Sequence, residues 1–368
     1  MATTYKTFLN NDMVTSKTLL HEAIPLTGGL TSGTYADTNI KNYSHGMFQS
    51  VYDYPYLSSS ANHIYDIAVG YSTASLIPTT AVQHDKKVNL YYQMAQTLMG
   101  YGFENPTQKG TNVAIRHFDA DGNFAAGGTK HHEVFFLNFS RLLTKDEIAK
   151  GTFSLTLLTG GNYTANSHGA NWLELRDTNA QTDYRVNSPA GEYGILKTYN
   201  SGADGHFTMN GHAHLGTVNA GLIFYQAGIA VITASVFSNF GGAEDSGLAA
   251  DVTKGNVTDT LTGSSVSGAC DNIRSRINNI SFNNTTELNS TIYFSRANHN
   301  EFNYSSNPTY LSSSQLVIKN KGADTPVSYI TTIGLYSADN ELLAVAKLSE
   351  PIRKDPTSEL TFRVRLDY

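Results

Sequence analysis

"ELTFRVRLDY", Glu359 to Tyr368, carries the period of two that a half-buried β-strand requires. Leu360, Phe362, Val364, Leu366 and Tyr368 fall on one side; Thr361, Arg363, Arg365 and Asp367 fall on the other. A slip of one residue would turn both arginines inward, so the pairing register is tightly specified. Just upstream, "YITTIGLYSADNELLAVAKLSEP" (Tyr329 to Pro351) holds two apolar runs around Ser337-Ala338-Asp339-Asn340, a turn-forming tetrad. Both runs place apolar residues at both parities: Ile330, Ile333, Leu335 and Tyr336, then Leu342, Leu343, Val345 and Leu348. That pattern predicts a ribbon covered on both faces, by a second sheet on one and by an arm or a neighbouring subunit on the other.

Further strands are predicted at "STIYFSRA" (Ser290 to Ala297), "SQLVIKN" (Ser314 to Asn320), "TFSLTLLTG" (Thr152 to Gly160) and the start of "HHEVFFLNFSRLL" (His131 to Leu143). "GLIFYQAGIAVITASVF" (Gly221 to Phe237) reads as two buried strands around Gln226-Ala227-Gly228. The strongest helix spans about residues 86–99, with Asp85 as cap and Gly100 as stop; Val88, Tyr91, Tyr92, Ala95, Leu98 and Met99 share one face. Shorter helices are expected from about Ser59 to Val69 and over "TKDEIAKG", where Thr144 and Glu147 form a capping-box pattern. The reading is a mainly β chain, an antiparallel β-sandwich (jelly-roll-like) with a few short helices and long loops. Residues 1–45 form an extended N-terminal arm with room for one short strand, and 46–240 a main β-rich domain, with long loops and short strands over 160–218. Residues 241–275 form a flexible loop or insertion. Residues 276–368 supply C-terminal strands that either complete the same sandwich or stand as a separate unit.

Charged residues are only 15% of the 368, well under the usual quarter, and Gly (31), Tyr (22) and Phe (17) are abundant. Uncharged hydrogen-bonding groups with many aromatics suit β-rich, loop-rich proteins that lie against other proteins. The net charge of -6, with no Lys/Arg run, argues against nucleic acid as a partner. One cysteine, Cys270, excludes an intramolecular disulfide and a cysteine zinc site. The start "MATTYKTFLNND" lacks a signal peptide's basic start and apolar stretch, and the best apolar run is interrupted at Gln226 and Gly228; synthesis in a cytoplasm and no membrane partner are the expectation.

Phosphate loops, dinucleotide fingerprints and nucleophile elbows are absent from the sequence. "FDADGN" (Phe118 to Asn123) has two aspartates and a glycine but not the spacing of a calcium loop, and reads as a turn. His117, His131 and His132 lie near Glu133, and "GHAHLG" puts His212 and His214 on one strand face, without a third metal ligand nearby. Glu174 with Asp177, or Asp119 with Asp121, are the nominal carboxylate pairs, and nothing in their spacing marks them for glycoside cleavage. No catalytic, metal or cofactor-binding residue is assigned, and no cofactor is expected.

"ANHNEFNYSSNPTYLSSSQLVIKN", "SYITTIGLYSADNELLAVAKLSEPIRKD" and "LTFRVRLDY" resemble the C-terminal region of virion structural proteins of contractile-tailed phages, particularly those of cyanobacteria. "SPAGEYGIL", "GLIFYQAGIAVITASVF" and, more weakly, "YDYPYLSSSANHIYD" are similar to upstream segments of the same proteins. "IGLYSADNELLAVAK" also looks like a ribbon of phage tail-fibre and baseplate attachment proteins. The resemblance implies a non-enzymatic virion subunit of the tail, baseplate or fibre-attachment region, made in a host bacterial cytoplasm. Its partners would be other virion proteins and further copies of itself in a homo-oligomer. The alternatives are a module on the virion that binds a receptor or host-surface glycan, with Trp172 and tyrosines as stacking surfaces, and a capsid or neck decoration protein. The candidate assembly interface is Tyr329, Ile333, Leu335, Tyr336, Leu342, Val345, Leu348, Phe362 and Tyr368.

Overall fold

The computed structural model describes residues 5–25, 37–102, 114–123, 128–158, 172–199, 206–209, 212–215, 218–237, 257–274, 276–305, 311–312, 315–316 and 323–368. The chain is mainly β and its strand pairs are antiparallel, as the alternation at the C-terminus predicts. It divides into two compact units, Leu20–Thr286 and Met1–Leu19 with Glu287–Tyr368. The division falls inside two strands, Met13–Pro25 and Ile277–Ala297, each of which has residues in both units.

In the larger unit one continuous sheet runs through Ser154–Leu158, Trp172–Arg176, Gly191–Tyr199, Asn219–Phe224, Ile229–Thr233, Glu133–Phe139, His63–Tyr71, Gln49–Tyr52 and Ile40–Asn42. The first of these also pairs with the start of Ile277–Ala297, Leu155 opposite Ile280. The fold is sandwich-like because strands far apart in this order share one core. Leu155, Leu173 and Phe282 lie in the same buried cluster as Ile67, Phe135 and Ile232. The Phe139 ring sits 5.8 Å from Phe153 and 5.2 Å from Phe282. A second cluster occupies the other face: Phe136, Leu222, Phe224 and Val231 pack against Tyr91, Ala95, Leu98 and Met99. The middle strands are therefore buried on both faces. This is why "GLIFYQAGIAVIT" is a continuous apolar run rather than an alternating one. Its turn falls at Gln226-Ala227-Gly228 as expected, with Gly228 at φ 68°.

The helix His84–Leu98 matches its prediction, with one difference at the start: Gln83, at φ 55°, precedes it and makes no side-chain cap. Three other expectations are corrected. The stretch from Ser59 to Val69 is not a helix; His63–Tyr71 is an inner strand. Ile64, Tyr65, Ile67, Val69 and Tyr71 are β-branched or aromatic residues that a doubly covered pleat accommodates. "TKDEIAKG" is not a helix either; Glu147–Ile148 pairs with Thr285 and Asn284, which buries Ile148. The flexible loop over 241–275 is, from Val257, two helices, Val257–Gly263 and Val266–Arg274, with Val266, Ala269, Cys270 and Ile273 buried on one face; residues 241–256 lie outside the described ones. Within 160–218 the described strands are short, as expected, except Gly191–Tyr199, which with Trp172–Arg176 belongs to the sheet.

In the smaller unit, Leu360–Asp367 pairs residue for residue with Ser290–Ala297. Val364 is buried, Leu360, Phe362 and Leu366 are half-buried, and Thr361, Arg363, Arg365 and Asp367 face outward. The predicted alternation holds through Leu366; Tyr368, past the strand's end, is 69% exposed. The extended N-terminal arm carries a strand, longer than the short one the sequence allowed. Met13–Pro25 is a strand, and Thr15 meets Thr291 while Lys17 meets Glu287 at 2.5 Å.

Candidate assembly surface

All nine residues of the predicted interface lie in the smaller unit, seven of them on one ribbon. The ribbon joins Ser328–Tyr336 to Leu342–Lys354, which form a two-stranded sheet of their own. The turn is where the sequence puts it. Ser337 donates its N–H to the Glu341 carbonyl at 2.9 Å and its Oγ accepts the Glu341 N–H at 3.1 Å. Asn340 adopts φ 64°, a conformation that Asn tolerates better than most residues. Register then pairs Tyr336 with Leu342, Leu335 with Ala344, Gly334 with Val345 and Ile333 with Ala346.

Among the described residues of the single chain the ribbon is covered on one face only, and the other is the face that an arm or a neighbouring subunit is expected to cover. Of the ribbon's apolar residues only Leu335 is buried, and Ile330, Ile333, Leu348 and Ile352 are half-buried. Five apolar side chains stay open: Leu343 is 68% exposed, Tyr329 54%, Leu342 53%, Val345 51% and Tyr336 44%. A Cβ on Gly334 would meet the Tyr336 ring at 2.8 Å and Leu342 at 3.2 Å, so those two side chains lie over the glycine and form one patch with Val345. The nine candidates thus sort into Tyr329, Tyr336, Leu342, Val345 and Tyr368 outside, Ile333, Leu348 and Phe362 half-covered, and Leu335 inside. At the foot of the ribbon Lys354 is buried and donates to Asn303 Oδ1 at 2.8 Å and to the Asp355 carbonyl at 2.8 Å.

The residue that sequence reasoning missed is Tyr5, whose ring stands edge-on to Tyr336 at 4.9 Å. No local pattern links positions so far apart. Beside this contact a groove of about 650 Å³ runs between Ser328–Tyr336 on one side and Tyr5 to Phe8 with Phe294 to Ala297 on the other. Its charged groups are paired: Lys6 with Glu301 at 2.6 Å, and Arg296 with Asp12 at 3.1 Å.

The polar clusters of the larger unit are built as structural joints. In "FDADGN", Asp119 Oδ1 accepts the N–H groups of Asp121 and Gly122 at 3.1 Å each, and its other oxygen pairs with Lys130. Asp177 accepts from the N–H groups of Gly151 (2.8 Å) and Phe153 (3.0 Å) and from the Tyr225 hydroxyl (3.0 Å), and burial pushes its carboxyl upward. Glu174 instead accepts from Arg176 at 2.6 Å and Ser154 at 2.5 Å, so the two nominated carboxylates serve different joints. His131 is buried, and desolvation lowers its imidazole to about 4. His132 bonds Ser72 at 2.8 Å. Among the described residues no three His, Cys, Asp or Glu converge as a metal site. His212 and His214 lie on the strand His212–Leu215, opposite Met209 and Phe207; their side chains, like that of Trp172, lie outside the described residues.

Compared with protein-family models, curated proteins and solved structures, the chain matches none.

Proposed function

We propose that the chain is a non-enzymatic structural subunit of a phage particle, in the tail, baseplate or fibre-attachment region, and that it acts through contacts with further copies of itself and other virion proteins. The observation that carries this reading is the set of exposed apolar side chains on the ribbon, Tyr329, Tyr336, Leu342, Leu343 and Val345, of which Tyr336 and Leu342 lie together over Gly334 beside Val345. A two-stranded ribbon is marginal in water by itself, and a contiguous exposed apolar patch marks an interaction surface. Covering such side chains gains roughly 25 cal/mol for each Å² of apolar surface removed from water. The resemblance of the C-terminal segments to virion proteins gives the partner's setting.

The purified full chain is expected to self-associate, and Leu343→Asp with Val345→Asp to shift it to smaller species in mass photometry without lowering its melting temperature. A strictly monomeric protein that degrades a polysaccharide would refute the proposal.

A second reading, a glycan-binding module on the same particle, has its own support. Tyr54 is 58% exposed and Tyr56 37%, next to Asp53, which accepts the Asn62 N–H at 2.6 Å and its amide at 2.8 Å. Exposed aromatic faces beside fixed carboxylate and amide groups suit sugar rings.

A further inference from the structure

We propose that the groove beside the ribbon takes up a single extended, uncharged strand of a neighbouring protein chain, added to the free edge of Ser328–Tyr336. The inference rests on the subunit reading above and names what the surface binds.

The groove is lined by every residue from Ser328 to Ala338, at both parities. A strand that turned a face to the groove would contribute alternate residues only; one that contributes all of them is presenting its edge. Among the described residues that strand pairs only with Leu342–Lys354, on its other edge. Its outward N–H and C=O groups are the template that strand addition uses.

The opposite wall has a similar gap. Ser290–Ala297 pairs with Leu360–Asp367 along one edge. On the other, Thr15 meets Thr291 and Lys17 meets Glu287, so the N-terminal strand runs antiparallel and, starting at Met13, stops short of Phe294 to Ala297. Those four residues line the groove together with Tyr5, Phe8 and Phe362.

The chemistry of the occupant follows from the lining. Backbone edges ask for an extended polypeptide, and the aromatic rings ask for apolar side chains at alternate positions. Lys6 and Arg296 already face Glu301 and Asp12, so no unpaired charge calls for a charged ligand.

The test uses the full chain and a fluorescein-labelled, end-capped peptide, Thr-Val-Thr-Tyr-Thr-Val-Thr, with a second version N-methylated at alternate amides to block edge pairing. Binding is read by anisotropy, and hydrogen exchange follows the amides of residues 329–336. The expected result is saturable binding of the first peptide, about tenfold or more weakening by N-methylation, and slowed exchange at 329–336. Thr331→Trp, an exposed position on the groove, should abolish binding and leave the melting temperature unchanged. Equal binding of both peptides, or none up to millimolar concentration, overturns strand uptake. So does displacement of the peptide by maltoheptaose but not by unlabelled peptide, which would assign the groove to a glycan. Loss of peptide binding with self-association intact sinks this inference alone; a monomeric chain that still binds the peptide sinks the subunit reading alone.

Discussion

Gly70 lies under the helix His84–Leu98, where a Cβ would come within 2.8 Å of the Tyr91 nitrogen and 2.9 Å of the Lys87 carbonyl oxygen. Helix and sheet backbones touch there, and only the absence of a side chain permits it. One turn away, Lys87 is fully buried. Its ammonium donates to the carbonyls of Leu261 at 2.6 Å and Ser264 at 2.7 Å, closing the end of the helix Val257–Gly263. Desolvation lowers it to about 8, the cost of burying the charge. Lys87→Met would leave those carbonyls without their donor, the expensive direction for a buried pair. A loss of about 2 kcal/mol or more in urea unfolding is expected; an unchanged midpoint would show that water replaces the lysine. His131 supplies a pH dependence. Burial lowers it to about 4, with Asp119 partly opposing and His132 adding to the shift. Its unfolded value near 6.5 lies above the folded one, so the unfolded chain takes up the proton first as pH falls. The stability it contributes is complete above pH 6.5, declines from there to pH 4 and is flat below. Its size is about 3 kcal/mol at 1.36 kcal/mol per unit. Subtracting the melting curve of His131→Asn from that of the wild type should isolate this slope; a flat difference between pH 4 and 6.5 contradicts it.

Elements were legible where the pattern had one solution. Leu360–Asp367 alternates cleanly, and the helix His84–Leu98 carries its stripe. His63–Tyr71 was not, because Ile64, Ile67 and Tyr71 satisfy a helical spacing while Ile64, Tyr65, Ile67 and Val69 suit a strand buried on both sides, an ambiguity that short apolar runs always carry. The helix Val266–Arg274 left a signal that a Gly/Ser-rich composition hid: Val266, Ala269, Cys270 and Ile273 recur at i, i+3, i+4 and i+7. In the ribbon, apolar residues at both parities record what a surface is suited to meet, and within the described chain little meets one face. The strand Leu360–Asp367 makes a testable contribution of its own. It supplies a register partner for each residue from Ser290 to Ala297 along one edge, and among the described residues the smaller unit's buried apolar side chains are few: Ala297, Leu335 and Val364. Deleting residues 357–368 should therefore expose the amides of 290–297 to fast exchange while those of 229–233 stay protected. Full protection at 290–297 in the truncated chain would show that the strand is dispensable.

At the scale of the whole molecule, two units with separate sets of contacts predict two unfolding events. Ile232→Ala, in the larger core, should lower one calorimetric transition, and Val364→Ala the other; a single transition moved by both would show that the units unfold as one. The candidate surface was half legible. Tyr329, Tyr336, Leu342 and Val345 were identifiable from apolar density around a turn tetrad, but Tyr5 and the groove were not, because they depend on residues at opposite ends of the chain meeting. By itself the sequence determined the β class, the helix His84–Leu98, the turn at Ser337 to Asn340 and the alternation of the last strand, all set by local periodicity and turn chemistry. Only the tertiary structure decided which apolar residues are covered, that the N-terminal residues pair with the C-terminal strand system, and that among the described residues the ribbon keeps one face and one edge open. Those outcomes depend on contacts between distant segments, and hydrophobic burial, being non-directional, leaves no local mark of which partner will supply it.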